Sequence, residues 1–335
     1  MNPPLTSTKK NSFAQWLGSA LVVLVFYAML SAVVLLVSFV LLQRGMTPDL
    51  PWISVIQNNL YMKGMRSIWQ NKIDCVAFDG ELIYKPKLGI CQFNNAEFST
   101  TLNFSADGRY TGDKPAGSGI AVIGDSHAMG WGVHDEETFS AELQSLSKRP
   151  VYNLAVSSYG TVREVLRLEL SGVLSKVDTL IIQYCDNDIE ENQHNLISDT
   201  EENRRKFERI TQGEKSQTSL LRVIAEAYGY ALRAPYNGLK SPKPPADFSP
   251  HYQAFMKVLA QHPELKEKRI LVFYTNAHGR QFQGFPAGKD KQLANVEFVD
   301  LGLAASDYYR IDDHLTPAGH KKAAQQLFDL LQHPQ

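Results

Sequence analysis

The sequence has no excess of charge of either sign. Its 34 Lys and Arg stand against 35 Asp and Glu, a formal net charge of -1. It therefore lacks both the basic field that holds nucleic acid and the acidic surplus of a disordered chain, and nucleic acid is excluded as a partner. Cysteine is scarce, three residues in 335, and the three lack the spacing of a zinc site. Asp125, His127, Asp186, Asp188 and His314 offer oxygen and nitrogen ligands, but no His-x-x-x-His helix pair accompanies them, so neither a metal nor another cofactor is expected. No internal repeat is visible, which removes solenoids and propellers.

What is present begins with an apolar run. Phe13 to Leu42 contains no Asp, Glu, Lys or Arg, and about twenty apolar residues suffice to cross a bilayer as a helix. The run is longer than the roughly 7–15 residues of a signal peptide's apolar region and has no convincing small-x-small cleavage site before Gln43. A soluble core helix would carry a polar face, which this run lacks. Lys9 and Lys10 precede it and Arg44 alone follows closely. That bias places the N-terminus in the cytoplasm and the bulk of the chain outside the cytoplasmic membrane, in the periplasm of a bacterium. In that oxidising setting Cys75 and Cys91 suit a disulfide closing a small loop, with Cys185 unpaired; the alternative is three buried thiols.

The chain divides into an N-terminal tail (1–12), the span (13–42), a stalk with a small strand-rich lead-in (43–118) and a main domain (119–335). Within the lead-in, Leu82–Tyr84 and Glu97–Phe104 read as short strands separated by Gly- and Asn-rich turns. From Ile120 onward, strand-like runs alternate with helical patterns. Strands are predicted at Ile120–Ile123, Val151–Val156, Thr179–Tyr184, Arg269–Tyr274 and Val296–Val299, and helices at Thr138–Leu146, Thr161–Leu174 and Thr316–Leu331. This alternation predicts an α/β fold: a three-layer α/β/α sandwich, flavodoxin-like, around a central parallel sheet of about five strands. An insertion at 189–268 interrupts it, with a helix expected near Leu220–Leu232 and a Pro-rich stretch over Pro235–Pro250. Its length suits a lid or substrate platform, the plainer alternative being a solvated connection.

Ligands of open parallel sheets bind beyond the carboxyl ends of the strands. Ser126, Gly160 and Asn187 each fall just after a predicted strand, and His314 lies between the last strand and the last helix. Taken singly, each has a plain structural role: Ser126 as a helix cap, Asn187 as a turn residue, His314 as a neighbour of a helix capped by Thr316 and begun by Pro317. Taken together, Gly124-Asp125-Ser126, Gly160, Asn187-Asp188 and the late His314 stand in the order and approximate spacing of the four blocks of SGNH (GDSL-type) hydrolases, which the chain resembles. Gly130-Trp131-Gly132-Val133 and Glu137-Thr138-Phe139 extend the likeness to a membrane-anchored bacterial subgroup, over about Asp79 to Leu331.

The resemblance implies Ser126 as nucleophile and His314 as base. Ser126 and Gly160 would contribute their amides, and Asn187 its side chain, to an oxyanion hole. Two departures stand out. Cys185 precedes Asn187 by two residues where the third block usually begins with Gly, and Ile311 occupies the usual Asp position three before the histidine. Asp312 is then the candidate to orient His314, with Asp313 and Asp307 behind it. The implied activity is cofactor-free hydrolysis of an O-acyl ester, on a small molecule, an envelope glycan or a lipid. The alternatives are an acyltransferase using the same serine and a non-catalytic envelope binding protein on the same fold.

Overall fold

The computed structural model describes residues 9–43, 66–194, 199–212, 249–275 and 285–332, together with Met46, Ile53, Gln57, Asn58, Leu60, Tyr61, Met62, Arg222, Ala225, Gly229 and Arg233. The chain opens with one helix, α1 (Lys9–Gln43). Its Gln15–Leu42 portion is long and apolar enough to cross a membrane. From Gln15 onward its apolar side chains are largely exposed, except that Phe39 is buried near the end.

A two-stranded antiparallel hairpin follows, β1 (Val76–Asp79) with β2 (Ile83–Pro86). Next come β3 (Gly89–Asn94), β4 (Ser99–Ser105) and β5 (Gly108–Arg109). The α/β alternation then runs β6 (Gly119–Ile123), α2 (Ser126–Met129), α3 (Phe139–Ser147), β7 (Val151–Asn153), α4 (Thr161–Leu170) and β8 (Val177–Tyr184). Helices α5 (Asp188–His194), α6 (Thr200–Gln212) and α7 (Ser249–Ala260) belong to the insertion. The chain closes with β9 (Arg269–Tyr274), β10 (Gly288–Lys289), β11 (Val296–Val299) and α8 (Pro317–Gln332). Of the helix predicted at Leu220–Leu232, Arg222, Ala225 and Gly229 are described and are helical. The rest of it, and most of the Pro-rich stretch, lie outside the described residues.

Strands β11, β9, β8, β6 and β7 are mutually parallel and form the centre of the sheet. They read as near-continuous apolar runs because both faces are covered, and all five residues of β6 are buried. Alternate residues point to opposite faces. Ile120, Val122, Ile181 and Leu271 pack with Phe139 and Leu143 of α3 and Leu327 of α8. On the other face, Ala121, Ile123, Leu180 and Val272 pack with Leu168 of α4 and Phe255 of α7.

The sheet is larger than the five parallel strands and plain three-layer sandwich expected. Among the described residues it has nine strands and is mixed, in the order β10-β11-β9-β8-β6-β7-β5-β4-β3. Strand β7 leaves an open edge, and open edges recruit a further strand. Here the lead-in supplies it, β5 pairing with β7 antiparallel through Arg109 and Asn153. The β3 to β5 ribbon thus continues the main sheet. Cys75 and Cys91, joined by a disulfide with Cα atoms 5.7 Å apart, tie it to the start of the β1 hairpin.

Candidate active site

Strand β6 delivers Gly124, Asp125 and Ser126 onto a tight turn. Gly124 has φ +151°, and a Cβ there would lie 2.6 Å from Gln183 Oε1 and 2.7 Å from Ala128 Cβ, so only glycine fits. Asp125 caps α2, its carboxylate accepting from the His127 N–H at 2.9 Å. Buried Gln183 on β8 pins the turn from below: its Oε1 accepts from the amides of Asp125 (3.0 Å) and Ala128 (3.1 Å), while its amide donates to Thr275 Oγ1 at 2.9 Å. Ser126 occupies the first helical position, where the backbone N–H has no acceptor within the helix.

The loop between β11 and α8 carries the histidine. His314 Nε2 lies 2.7 Å from Ser126 Oγ, and its Nδ1 lies 2.6 Å from Asp312 Oδ1 and 3.0 Å from the Asp312 carbonyl oxygen. With Nδ1–H turned to these acceptors, Nε2 is free to accept the serine proton. The loop is braced from the lead-in, Glu97 accepting the successive amides of Arg310 (3.0 Å), Ile311 (2.7 Å) and Asp312 (2.8 Å). His127 stacks on His314 with ring centroids 4.5 Å apart. Ile311 is buried, and the shortened spacing turns Asp312 inward in its place. Of the other two carboxylates considered, Asp307 accepts from Lys322 (2.9 Å) and the Ala304 amide (2.8 Å), and Asp313 from Asn58 (3.2 Å).

Asp312 is fully buried, and its environment decides its charge. Burial alone would raise its pKa, but the charge and hydrogen bond of His314, the Arg66 guanidinium and the Tyr61 hydroxyl outweigh it and hold the carboxyl below the ordinary value of 3.8. Burial depresses His127 well below 6.5, reinforced by His314, so His127 stays neutral beside the base.

The Gly160 and Asn187 side is built differently. The Gly160 N–H expected to face an oxyanion instead donates to Glu191 Oε2 at 3.1 Å, and the Arg163 amide donates to Glu191 Oε1 at 2.8 Å. The cause is the insertion, whose first helix α5 lays buried Glu191 across the N-terminus of α4, where amides and dipole attract a carboxylate. Asn187 Nδ2 donates to Asp125 Oδ2 at 3.3 Å, which keeps it next to the serine turn. Behind them Glu164 and Asp188 are buried, and among the described residues both Glu164 oxygens and Asp188 Oδ1 lack hydrogen-bond partners. Burial, then the charges of Asp188, Asp125 and Glu191, pushes Glu164 well above 4.5. Burial with Asp125 and Glu191 does the same to Asp188 relative to 3.8.

A cleft of about 670 Å³ opens beside Ser158 and Arg163, with Lys206 and Arg209 of α6 on its wall. Among the described residues, one group of three acidic and histidine side chains has converging ligand atoms: Glu169, His262 and Glu264, near the end of α4 remote from Gly160. Sequence reasoning missed Gln183, Glu97, Tyr61 and Arg66; the legible hint was a glutamine inside the otherwise apolar run of β8.

The chain was compared with known proteins. No protein-family model matches the sequence, and no curated protein matches it. Solved structures do match. A carbohydrate esterase family 2 enzyme with its carbohydrate-binding domain, from Corynascus thermopiles, is 13% identical with TM-score 0.39, covering 67% of this chain and 68% of its own. A member of the lipolytic protein G-D-S-L family from Veillonella parvula is 10% identical with TM-score 0.35, covering 65% and 100%. An acetylxylan esterase from Geobacillus stearothermophilus is 17% identical with TM-score 0.31, covering 64% and 94%.

Proposed function

We propose that this chain is a serine ester hydrolase of the SGNH kind, held at the outer face of the cytoplasmic membrane by α1 and acting on O-acyl esters of envelope glycans or lipids. The observation that carries the reading is the continuous relay Ser126 Oγ, His314, Asp312, with links of 2.7 and 2.6 Å. Ser126 Oγ attacks the ester carbonyl as its proton passes to His314 Nε2, and Asp312 stabilises the imidazolium. The Ser126 N–H and the Asn187 side chain stabilise the tetrahedral oxyanion, and Gly160 joins them only when Glu191 releases its amide. His314 then protonates the departing alkoxide. Water, deprotonated by the same nitrogen, attacks the acyl-serine and frees the acid.

Membrane retention is supported by packing: Phe39 of α1 is buried, and Gln57 donates to the Leu42 carbonyl at 3.1 Å. Removal of α1 as a leader would strip both contacts. The second reading is an acyltransferase using the same serine, for which the cleft beside Arg163, with Lys206 and Arg209 on its wall, offers a surface for a sugar acceptor.

The test is hydrolysis of p-nitrophenyl acetate and longer esters by the full chain in detergent, with fluorophosphonate labelling, beside Ser126→Ala and His314→Ala. Turnover and label that vanish in Ser126→Ala support the hydrolase. Label without turnover favours the transferase. A folded chain with neither is a binding protein.

A further inference from the structure

Tyr61 and Arg66 precede the sheet in a segment whose sequence reads as a stalk, yet both reach the buried carboxylate of the relay. The Tyr61 hydroxyl donates to Asp312 Oδ2. Arg66 Nε lies 3.4 Å from the same oxygen, and its Nη2 lies 3.3 Å from His314 Nδ1. With Nδ1–H directed at Asp312, that last contact is one of charge rather than a hydrogen bond. Tyr61 is 2% exposed, so this is a buried contact and not a passing surface touch. Asn58, three residues before Tyr61, donates to the Ile311 carbonyl at 3.1 Å and to Asp313 at 3.2 Å. One residue further back, Gln57 holds the Leu42 carbonyl at the end of α1. Gln57, Asn58 and Leu60 are helical, so Gln57 and Tyr61 stand about one turn, roughly 6 Å of rise, apart.

We infer that Tyr61 and Arg66, which stand between α1 and the sheet, belong to the catalytic apparatus: they are positioning residues that fix Asp312 on His314, coupling the working base to the end of the membrane-crossing helix. Asp312 Oδ1 faces His314, and without Tyr61 and Arg66 the buried Oδ2 would keep only the long contact from the Trp131 indole N–H at 3.5 Å, too weak to stop the carboxylate rotating away. Tyr61 by its hydrogen bond and Arg66 by its charge hold Oδ2 and favour one orientation. Arg66 also places a positive charge beside the imidazole, in a setting that includes the Asp312 carboxylate, the buried carboxyl of Asp125, whose pKa burial raises, and the rings of His127 and His320, which burial keeps neutral.

The inference rests on the ester hydrolase reading, and one experiment separates the two. The full chain in detergent is assayed with p-nitrophenyl acetate across pH, with fluorophosphonate labelling, for wild type, Tyr61→Phe, Arg66→Ala and Arg66→Lys. The expected result is a kcat lowered roughly ten- to a hundred-fold in Arg66→Ala, and less in Tyr61→Phe, at unchanged KM. In both, the acidic limb of the rate profile moves to higher pH, because the imidazolium loses an opposing charge or gains a less engaged carboxylate. Arg66→Lys returns the limb toward its wild-type position. Folded variants with wild-type kcat, or with lowered kcat and an unmoved acidic limb, overturn the inference while Ser126-dependent labelling of the wild type keeps the hydrolase standing. Absence of that label in the wild type overturns both.

Discussion

On one side of Ser126 the polar groups converge on the proposed base, and on the other the donors are engaged elsewhere. The histidine side is a closed chain in which Glu97 fixes the loop backbone, Tyr61 and Arg66 hold one oxygen of Asp312, the other oxygen faces His314, and His314 faces the serine at 2.7 Å. On the glycine side, Glu191 takes the Gly160 amide and Asp125 takes the Asn187 side chain. Two further buried carboxyls, Glu164 and Asp188, crowd behind them. Proton transfer is thus organised in advance, whereas stabilisation of negative charge must be won from competing carboxylates. A preorganised donor contributes most when it need not break another bond first, so in the hydrolase we propose this side sets the limit on rate.

The sharpest way to break the contrast is on the proton side. His314→Ala and Ser126→Ala are each expected to lower kcat by about 10⁴ or more, and, because they act as a unit, the double variant falls little further. Asp312→Asn is expected to cost about 10³–10⁴ by favouring the wrong imidazole tautomer, read from kcat/KM in the full chain. The same variant has a stability signature. The depressed Asp312 carboxyl contributes above its ordinary value of 3.8 and loses that contribution as pH falls through its lower folded value, so wild-type and variant melting temperatures converge only in strong acid. On the other side, Asn187→Ala is expected to lower kcat by roughly 10²–10³ with little change in KM. A loss below about tenfold would mean that Gly160 is released from Glu191 during turnover after all.

Sequence made one side more legible than the other, for physical reasons. Ser126, His314 and Asp312 sit at strand ends and in one short loop, so block order and topology placed them together before any geometry was known. The five parallel strands were legible as largely apolar runs. Their extension was not: β3 to β5 join through one residue pair, Arg109 with Asn153, between segments 44 positions apart that carry no shared pattern, and β10 at the other edge is a two-residue strand on β11. Gly160 was correctly placed after its strand, but its amide is claimed by Glu191, 31 residues later in an insertion with no motif of its own. Tyr61 and Arg66 were unreadable for a similar reason: a segment without periodicity shows no face, and their partner Asp312 lies some 250 residues away.

The smallest expected effect probes the carboxyls behind Gly160. Glu164 is fully enclosed, neither oxygen has a hydrogen-bond partner among the described residues, and burial together with Asp188 raises its pKa well above 4.5. A carboxyl with a raised folded pKa holds its proton more tightly folded than unfolded. Stability is therefore greatest below the unfolded value and declines as pH rises from there toward the folded value. Glu164→Gln replaces the proton-requiring group with a neutral one of the same shape. The variant should match wild type near pH 4 and melt higher near pH 8, by roughly 2–4 °C for each kcal/mol relieved. Melting curves of the full chain in detergent at the two pH values measure this directly. Equal shifts at both would mean that Glu164 is not held protonated, and that the crowding on this side of the serine is one of shape and not of charge.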